Sequence, residues 1–157
     1  MQKISPFLWF DNQAEEAVNL YVSLFDDAAI NSVSRYPEGS PGPAGEVMTV
    51  NSRLAGQEFI ALNGGPHYTF SQAISFFVHC QSQEEVDRLW AQLTEGGEPQ
   101  QCGWLIDRFG VTWQIVPDRL GELLGDPDPA RAQRAMQAML QMGKIDVQAL
   151  EDAADLA

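Results

Sequence analysis

Only a few side chains in this sequence are of types that could do chemistry. The 157 residues include 2 histidines and 2 cysteines, at His67, His79, Cys80 and Cys102. Histidine can act as a general base near neutral pH or hold a ligand by a hydrogen bond. The alternatives are a hydrogen-bonded core or rim residue for His79 and a solvated loop residue for His67. We expect both cysteines to be reduced, buried thiols, and a disulfide between them is the alternative. Cys102 has no adjacent lysine, so we expect it to be unreactive.

Several other patterns of polar residues have a structural explanation. The carboxylate pairs Glu15–Glu16 and Glu84–Glu85 lie in predicted first helical turns, where they complement the helix dipole. No glycine-rich turn follows the first apolar run, which argues against the common type of methyltransferase that uses S-adenosylmethionine. No serine lies in a nucleophile-elbow sequence. Asp107, beside Arg108, is either an acid that stabilises a turn or a ligand contact.

Composition and charge exclude several classes of function. An apolar content of 45% in a chain of this length fits one folded domain with a sizeable core. The formal charge of −13 argues against binding to nucleic acid or to anionic membrane surfaces. No apolar run approaches the roughly 20 residues that cross a bilayer, and no signal peptide is evident. With 2 cysteines only, the composition favours a cytoplasmic protein.

The order of elements repeats along the chain. Residues 4–10 (ISPFLWF) and 74–80 (ISFFVHC) are similar apolar runs at an offset of 70. Each precedes an amphipathic helix, with Asn12 and Ser82 as the expected N-caps. Three strands follow each helix, and the break at 63–66 (NGGP) separates the two copies. The repeat predicts two βαβββ modules.

The stretch Cys102–Pro117 is predicted to be a tryptophan-rich hairpin. Gly110 supplies the positive φ of the turn, and Pro117 ends the second strand. Because side chains alternate along a strand, Gln114 and Trp113 must point to opposite faces, with Trp113 toward the helix. Tryptophans in such a hairpin form either a core wall or the wall of an apolar pocket.

The sequence after residue 118 predicts a helical extension, 119–157. Asp128, followed by Pro129, and Asp146 are helix N-cap signals. One helical stripe is made of small and apolar side chains, which are Ala132, Ala135, Met136, Met139 and Leu140. Such a stripe is usually ordinary packing. Since these helices contain little else to bury against, we expect them to contribute to a homodimer.

Three long segments are similar to one known family. They are WFDNQAEEAVNLYVSLF (9–25), NGGPHYTFSQAISFFVHC (63–80) and CGWLIDRFGVTWQIVP (102–117), and the tail 139–150 also fits. With the paired βαβββ pattern, they resemble the vicinal-oxygen-chelate superfamily of glyoxalase I, bleomycin-resistance proteins and extradiol dioxygenases. Within it, the chain resembles the branch called 3-demethylubiquinone-9 3-methyltransferase-like.

The resemblance implies an α+β fold. A family-like domain is expected over residues 1–118, with modules at 4–63 and 73–117, followed by the C-terminal helices. The two modules are expected to curl mixed, mainly antiparallel sheets into a cup, with a helix outside each sheet. The cup-facing side chains are then expected to be Ser75, Phe77 and His79 in the second module and Pro6, Leu8 and Phe10 in the first.

The resemblance also identifies where a metal would bind. Metal-dependent relatives use His and Glu ligands, at positions that fall on Pro6, Ala61 (or Ile60), Ser75 and Gln114. None of these residues is His, Glu or Asp, and one neutral amide cannot hold a divalent cation against water. We therefore predict a cup with no metal and no cofactor.

The candidate site is a small-molecule pocket of six side chains, which are Gln114, His79, Phe77, Trp104, His67 and Asn63. Aromatic side chains would supply apolar contact, and Gln114 and His79 would orient the ligand. The leading hypothesis is small-molecule binding without an assigned reaction. The alternatives are methyl transfer, metal-dependent glyoxalase-like or dioxygenase-like chemistry, and antibiotic sequestration of the bleomycin-resistance type.

Overall fold

The structure, a computed structural model, describes residues 2–156 and divides into two compact units, 2–70 and 71–156. Met1 and Ala157, the ends of the predicted domain and extension, lie outside the described residues. The first unit contains β1 (Phe7–Phe10), α1 (Ala14–Leu24), β2 (Ala29–Arg35), β3 (Val47–Leu54) and β4 (Gln57–Asn63). The second contains β5 (Phe76–Cys80), α2 (Gln83–Thr94), β6 (Glu98–Pro99), β7 (Trp104–Ile106) and β8 (Thr112–Pro117), then α3 (Asp118–Leu124), α4 (Pro129–Leu140) and α5 (Val147–Asp155).

Both units have the same sheet topology. The strand orders are β1-β4-β3-β2 and β5-β8-β7-β6. In each unit the first strand pairs in parallel with the last, and the remaining pairs are antiparallel. The predicted α+β fold with two βαβββ modules is confirmed.

The two module helices begin in different ways. At α2 the Ser82 hydroxyl accepts from the Glu85 amide at 3.2 Å, as predicted, and the Glu85 carboxylate accepts from the Gln81 amide at 2.8 Å. At α1 the prediction of Asn12 as N-cap is wrong. The N-cap residue has no side-chain hydrogen bond, and the Ala14 amide donates instead to Asn63 Oδ1 at 2.8 Å. A residue 49 positions away therefore caps the first helix.

The tail helices pack around a small core that they share with the end of β8. The predicted N-caps of α4 and α5 are confirmed, since Asp128 accepts from the Ala130 amide and Asp146 from the Ala149 amide. The buried cluster consists of Val116, Leu120, Leu123, Ala135, Ile145, Leu150 and Ala154, with Met139 packed against it. The expectation that the tail helices have little else to bury against is therefore wrong.

Backbone hydrogen bonds also attach the tail to the second sheet. The Cys102 amide donates to the Met142 carbonyl, and the Gly103 amide donates to the Gly143 carbonyl, both at 2.8 Å. A Cβ on Gly103 would lie 2.9 Å from the Ile115 carbonyl oxygen. A glycine is therefore needed at this position, where two backbone segments lie close together.

Within residues 2–156 no helix is both long enough and apolar enough to cross a bilayer.

Candidate functional site

Three side chains form a row across the open face of the second sheet. Phe77 on β5 and Trp104 on β7 are both register partners of Gln114 on β8. Paired residues project to the same face of a sheet, so the amide lies between two aromatic side chains. Trp113 is only 3% exposed and lies on the opposite face, where α2 packs against β8, as strand alternation predicted.

This row lines a cavity of about 400 Å³. The sheet contributes Phe77, His79, Trp104 and Gln114, so four of the six predicted pocket residues lie together. The remaining lining residues are Cys102, Val116, Pro117, Asp118, Leu120, Gly121, Leu124 and Met139. The sequence did not predict the wall formed by α3. The signal was present in Leu120, Leu123 and Leu124, whose i, i+3, i+4 spacing is that of a helical face.

The polar groups of the row are only partly paired. Gln114 Nε2 donates to Ser75 Oγ at 2.9 Å, which holds the amide in one orientation. No donor in the described part of the chain reaches Gln114 Oε1, and no acceptor there reaches the indole N–H of Trp104. The row therefore has one free acceptor, on Gln114, and one free donor, on Trp104, on neighbouring strands.

A histidine and a carboxylate lie at the edge of the cavity. His79 Nδ1 is 3.7 Å from Asp118 Oδ1, too far for a hydrogen bond but close enough for attraction when the imidazole is protonated. The ring centroids of Phe77 and His79 are 4.8 Å apart. The His79 side chain is 76% exposed, so it is a rim residue and not part of the core.

The two cysteines are free, and their environments differ. Burial, with a smaller contribution from the Glu85 carboxylate, raises the pKa of Cys80 to about 12. That thiol is fully buried and stays protonated at neutral pH. Cys102 is half-buried and lines the cavity, with Sγ 3.7 Å from the Met139 carbonyl oxygen, so the expectation of burial is wrong for this residue.

Asn63 and His67 line a different concavity, which lies in the first unit. Both ends of the Asn63 amide are engaged in the fold, since Oδ1 accepts from the Ala14 amide and Nδ2 donates to the Val47 carbonyl at 3.1 Å. The six predicted residues are thus divided between two concavities, four in the second unit and two in the first.

The face prediction for the first strand is wrong. Leu8 and Phe10 are buried on the side that packs against α1, whereas Phe7 is 55% exposed and Trp9 lines the open concavity. The 70-residue offset between the modules accounts for the observed faces, because it aligns Phe7 with Phe77 and Trp9 with His79, which lie on the open face of the second sheet. The open face of the first strand therefore carries Phe7 and Trp9, one residue away from the predicted positions.

Asp107 stabilises a turn. Its Oδ1 accepts from the Phe109 and Val111 amides at 2.9 and 3.0 Å, and its Oδ2 accepts from the Trp113 indole at 2.9 Å. The residue is 3% exposed and is not among those that line the cavity. Of the two interpretations of Asp107, the structural one holds.

The positions carried over from metal-dependent relatives do not fit a metal. Ser75 and Gln114 are hydrogen-bonded to each other, and Ala61 is buried on the helix side of its sheet. A hydroxyl and a neutral amide are a poor donor set for a divalent cation. Elsewhere in residues 2–156, no three His, Cys, Asp or Glu side chains gather as a metal site.

Comparison with known proteins identifies the family. Residues 2–116 match the family described as 3-demethylubiquinone-9 3-methyltransferase. The chain belongs to this family. The resemblance inferred from the sequence motifs is therefore confirmed. Helices α3 and α4, which complete the cavity, follow the residues that match.

Solved structures support the assignment. A Bacillus cereus PhnB protein that carries the same methyltransferase name is 39% identical to this family member, with a TM-score of 0.69, over 74% of this chain and 99% of that one. A Pseudomonas aeruginosa protein, 23% identical, shares the fold with a TM-score of 0.62 over 74% of this chain and 98% of its own. No functionally curated protein is detectably similar in sequence.

Proposed function

We propose that this family member binds a small, uncharged ring compound in the cavity of its second unit. The observation that carries the proposal is the row of Phe77, Gln114 and Trp104 on one sheet face. Neighbouring strands lie about 4.8 Å apart, so the row spans roughly 10 Å, the length of one or two fused rings. Two aromatic side chains flank an oriented amide, which suits a flat molecule with a polar substituent.

The size and lining of the cavity support a compact ligand. Its volume of about 400 Å³ lies in the lower part of the range for small-molecule sites. The α3 and α4 side of the cavity is mostly apolar, with Leu120, Leu124 and Met139. Burial of apolar ligand surface against these side chains would supply most of the binding free energy.

The free hydrogen-bonding groups set the polar chemistry of the ligand. Gln114 Oε1 can accept from a hydroxyl or an N–H, and the Trp104 indole can donate to an oxygen. A phenolic hydroxyl meets both requirements, because it donates one hydrogen bond and accepts another. A hydroxylated aromatic compound is therefore the ligand class that the site fits best.

A ligand-binding experiment tests the proposal with 2-naphthol as the probe. We expect 2-naphthol to raise the melting temperature and to quench tryptophan fluorescence, since ligands that bind only the folded state stabilise it. Gln114→Leu keeps the side-chain size but removes the acceptor, and should weaken binding about tenfold. The matched control is Gln57→Leu, an exposed glutamine of the first unit. Equal losses in both variants, or no binding at all, would refute the proposal.

Methyl transfer is the second candidate function. It is favoured by the family description together with His79, whose imidazole at the cavity edge could take the proton of a bound phenol. The phenolate oxygen would then attack the methyl group of S-adenosylmethionine. The carbon–sulfur bond would break, and S-adenosylhomocysteine would be the leaving group. Incubation with 2-naphthol and S-adenosylmethionine, followed by mass spectrometry for the methyl ether, decides between the two functions. We expect no ether, which would leave binding or sequestration as the function.

We further propose that the protein forms a homodimer. Met136 and Leu140 on α4 remain 39% and 53% exposed, while Ala135 of the same stripe is fully buried within the chain. The outer part of the stripe is thus the part that could contact a second copy. Sedimentation analysis of the full chain tests the association.

A further inference from the structure

The first unit has a second, larger concavity that the proposed function does not use. Its volume is about 940 Å³, enough for a drug-sized molecule. Its lining residues come from all four strands of the unit, the start of α1 with the two residues 11–12, the loop of residues 36–46 and the segment 64–67. All of these elements lie within one compact unit.

Two aromatic side chains form fixed walls of this concavity. The Trp9 indole donates to the Gly65 carbonyl at 2.9 Å, and the Tyr36 hydroxyl donates to the Asn63 carbonyl. Each polar tip is therefore satisfied by the backbone, and the rings are held in place. A ligand would meet ring surface at these two residues and not an unpaired donor.

Glycines let both rings lie directly on the backbone. A Cβ on Gly64 would overlap the Trp9 ring, and a Cβ on Gly42 would overlap the Tyr36 ring. Such overlap shows that the space beside each glycine is already filled by an aromatic side chain. The rings thus pack on the chain on one side and line the concavity on the other.

The loop beside these walls is anchored at its base. The Tyr36 amide donates to the Glu46 carbonyl at 2.9 Å, and the Gly45 amide returns a bond to the Tyr36 carbonyl at 2.8 Å. The Arg35 guanidinium donates to the Gly45 carbonyl at 3.1 Å. The concavity is therefore preformed at this end, which lowers the entropy loss on binding.

The charges around the concavity are unbalanced. Asp11, Glu15 and Glu46 are three carboxylates against the single guanidinium of Arg35, a net charge of −2 for the lining when His67 is neutral. None of the three carboxylates has a hydrogen-bonding or ion-pair partner within residues 2–156. The sign of this charge selects a cation, and the two rings favour a flat or quaternary one through cation–π attraction.

We propose that the concavity of the first unit is a binding site for an aromatic organic cation. The ring system of the ligand lies against Trp9 and Tyr36, and its positive charge faces the carboxylates of Asp11, Glu15 and Glu46. This site is separate from the cavity of the second unit and differs from it in ligand charge.

Ethidium, a flat and permanently cationic fluorophore, is the probe for this site. We expect saturable binding to the full chain, measured by fluorescence at low salt, and binding at least about tenfold weaker for phenanthridine, its uncharged parent ring. The triple variant Asp11→Asn, Glu15→Gln and Glu46→Gln should weaken ethidium binding about tenfold or more. These side chains are exposed, so the isosteric changes leave the fold intact.

A control variant separates a site from general attraction to an acidic protein. Glu84→Gln, Glu98→Gln and Asp152→Asn change the net charge equally at exposed positions of the second unit. We expect this variant to bind ethidium within about twofold of the parent. Equal weakening in both triple variants, or no saturable binding, would overturn the proposal.

A further variant keeps the two sites distinguishable. Gln114→Leu should leave ethidium binding unchanged even though it weakens 2-naphthol binding. Loss of ethidium binding in Gln114→Leu would mean that the cation binds in the second unit, and would also overturn the proposal.

Discussion

The most specific structural prediction concerns Asp107, whose carboxylate holds the β7–β8 hairpin. The carboxylate accepts hydrogen bonds from the Phe109 and Val111 amides and from the Trp113 indole. Substitution by alanine leaves three donors without an acceptor, in residues that are 8%, 2% and 3% exposed. Water therefore has little access to them.

The magnitude follows from these three donors. Each unsatisfied buried donor costs about 1–3 kcal/mol, and part of the sum is recovered because a buried charge is removed. We expect Asp107→Ala to lower the free energy of unfolding by about 3–5 kcal/mol. Asp107→Asn retains Oδ1 for the two backbone amides but turns an N–H₂ group toward the indole, so its loss should be smaller, about 1–3 kcal/mol.

Urea unfolding followed by circular dichroism and tryptophan fluorescence measures both losses. A double-mutant cycle with Trp113→Phe isolates the indole bond, and we expect a coupling energy of about 1 kcal/mol between Asp107→Asn and Trp113→Phe. Asp26→Ala, at an exposed acid, serves as the control and should change stability by less than about 0.5 kcal/mol. A loss below about 1 kcal/mol for Asp107→Ala would refute the assignment of this residue as the anchor of the turn.

Four further predictions concern the cysteines, the first helix and the tail. Iodoacetamide should modify Cys102 in the folded protein and Cys80 only after unfolding. The pKa of Cys80 is raised from 9.0 to about 12. The folded protein therefore holds the thiol proton more tightly than the unfolded chain, and the free energy of unfolding should fall as the pH rises from about 9 to about 12. Cys80→Ala should remove this fall in urea unfolding. Asn63→Ala, which removes the cap of α1, should cost about 1–2 kcal/mol in thermal unfolding, and no loss would contradict the capping role. Met136→Lys with Leu140→Lys should shift sedimentation from dimer to monomer without lowering the melting temperature, and an unchanged dimer would exclude this face as the contact.

Local sequence signals were sufficient for most of the fold. The bounds of β4, Gln57–Asn63, follow from the alternation and from the turn at Ala55–Gly56, where both residues have positive φ. The Ser82 cap was predictable because its partner Glu85 lies three residues away. Signals of this kind depend on neighbouring residues, so they are visible in the sequence.

Other features depended on contacts between distant residues. The capping of α1 by Asn63 joins positions 49 residues apart, and Asn12 offered a better local pattern. Helix α3 lies within the predicted helical extension but has no start signal of its own in the sequence, because Pro117, which ends a strand, also serves as the N-cap of this seven-residue helix. The cavity wall formed by Leu120, Leu124 and Met139 was therefore not predictable from the strand pattern alone.

The two backbone hydrogen bonds from Cys102 and Gly103 to residues 142 and 143 have a consequence for the order of folding. They join segments about 40 positions apart along the chain. Contacts of such long sequence separation form late, because loop closure precedes any gain in stability. We therefore expect the cavity to be the last part of the second unit to assemble, so that ligand binding in a refolding experiment appears after sheet formation.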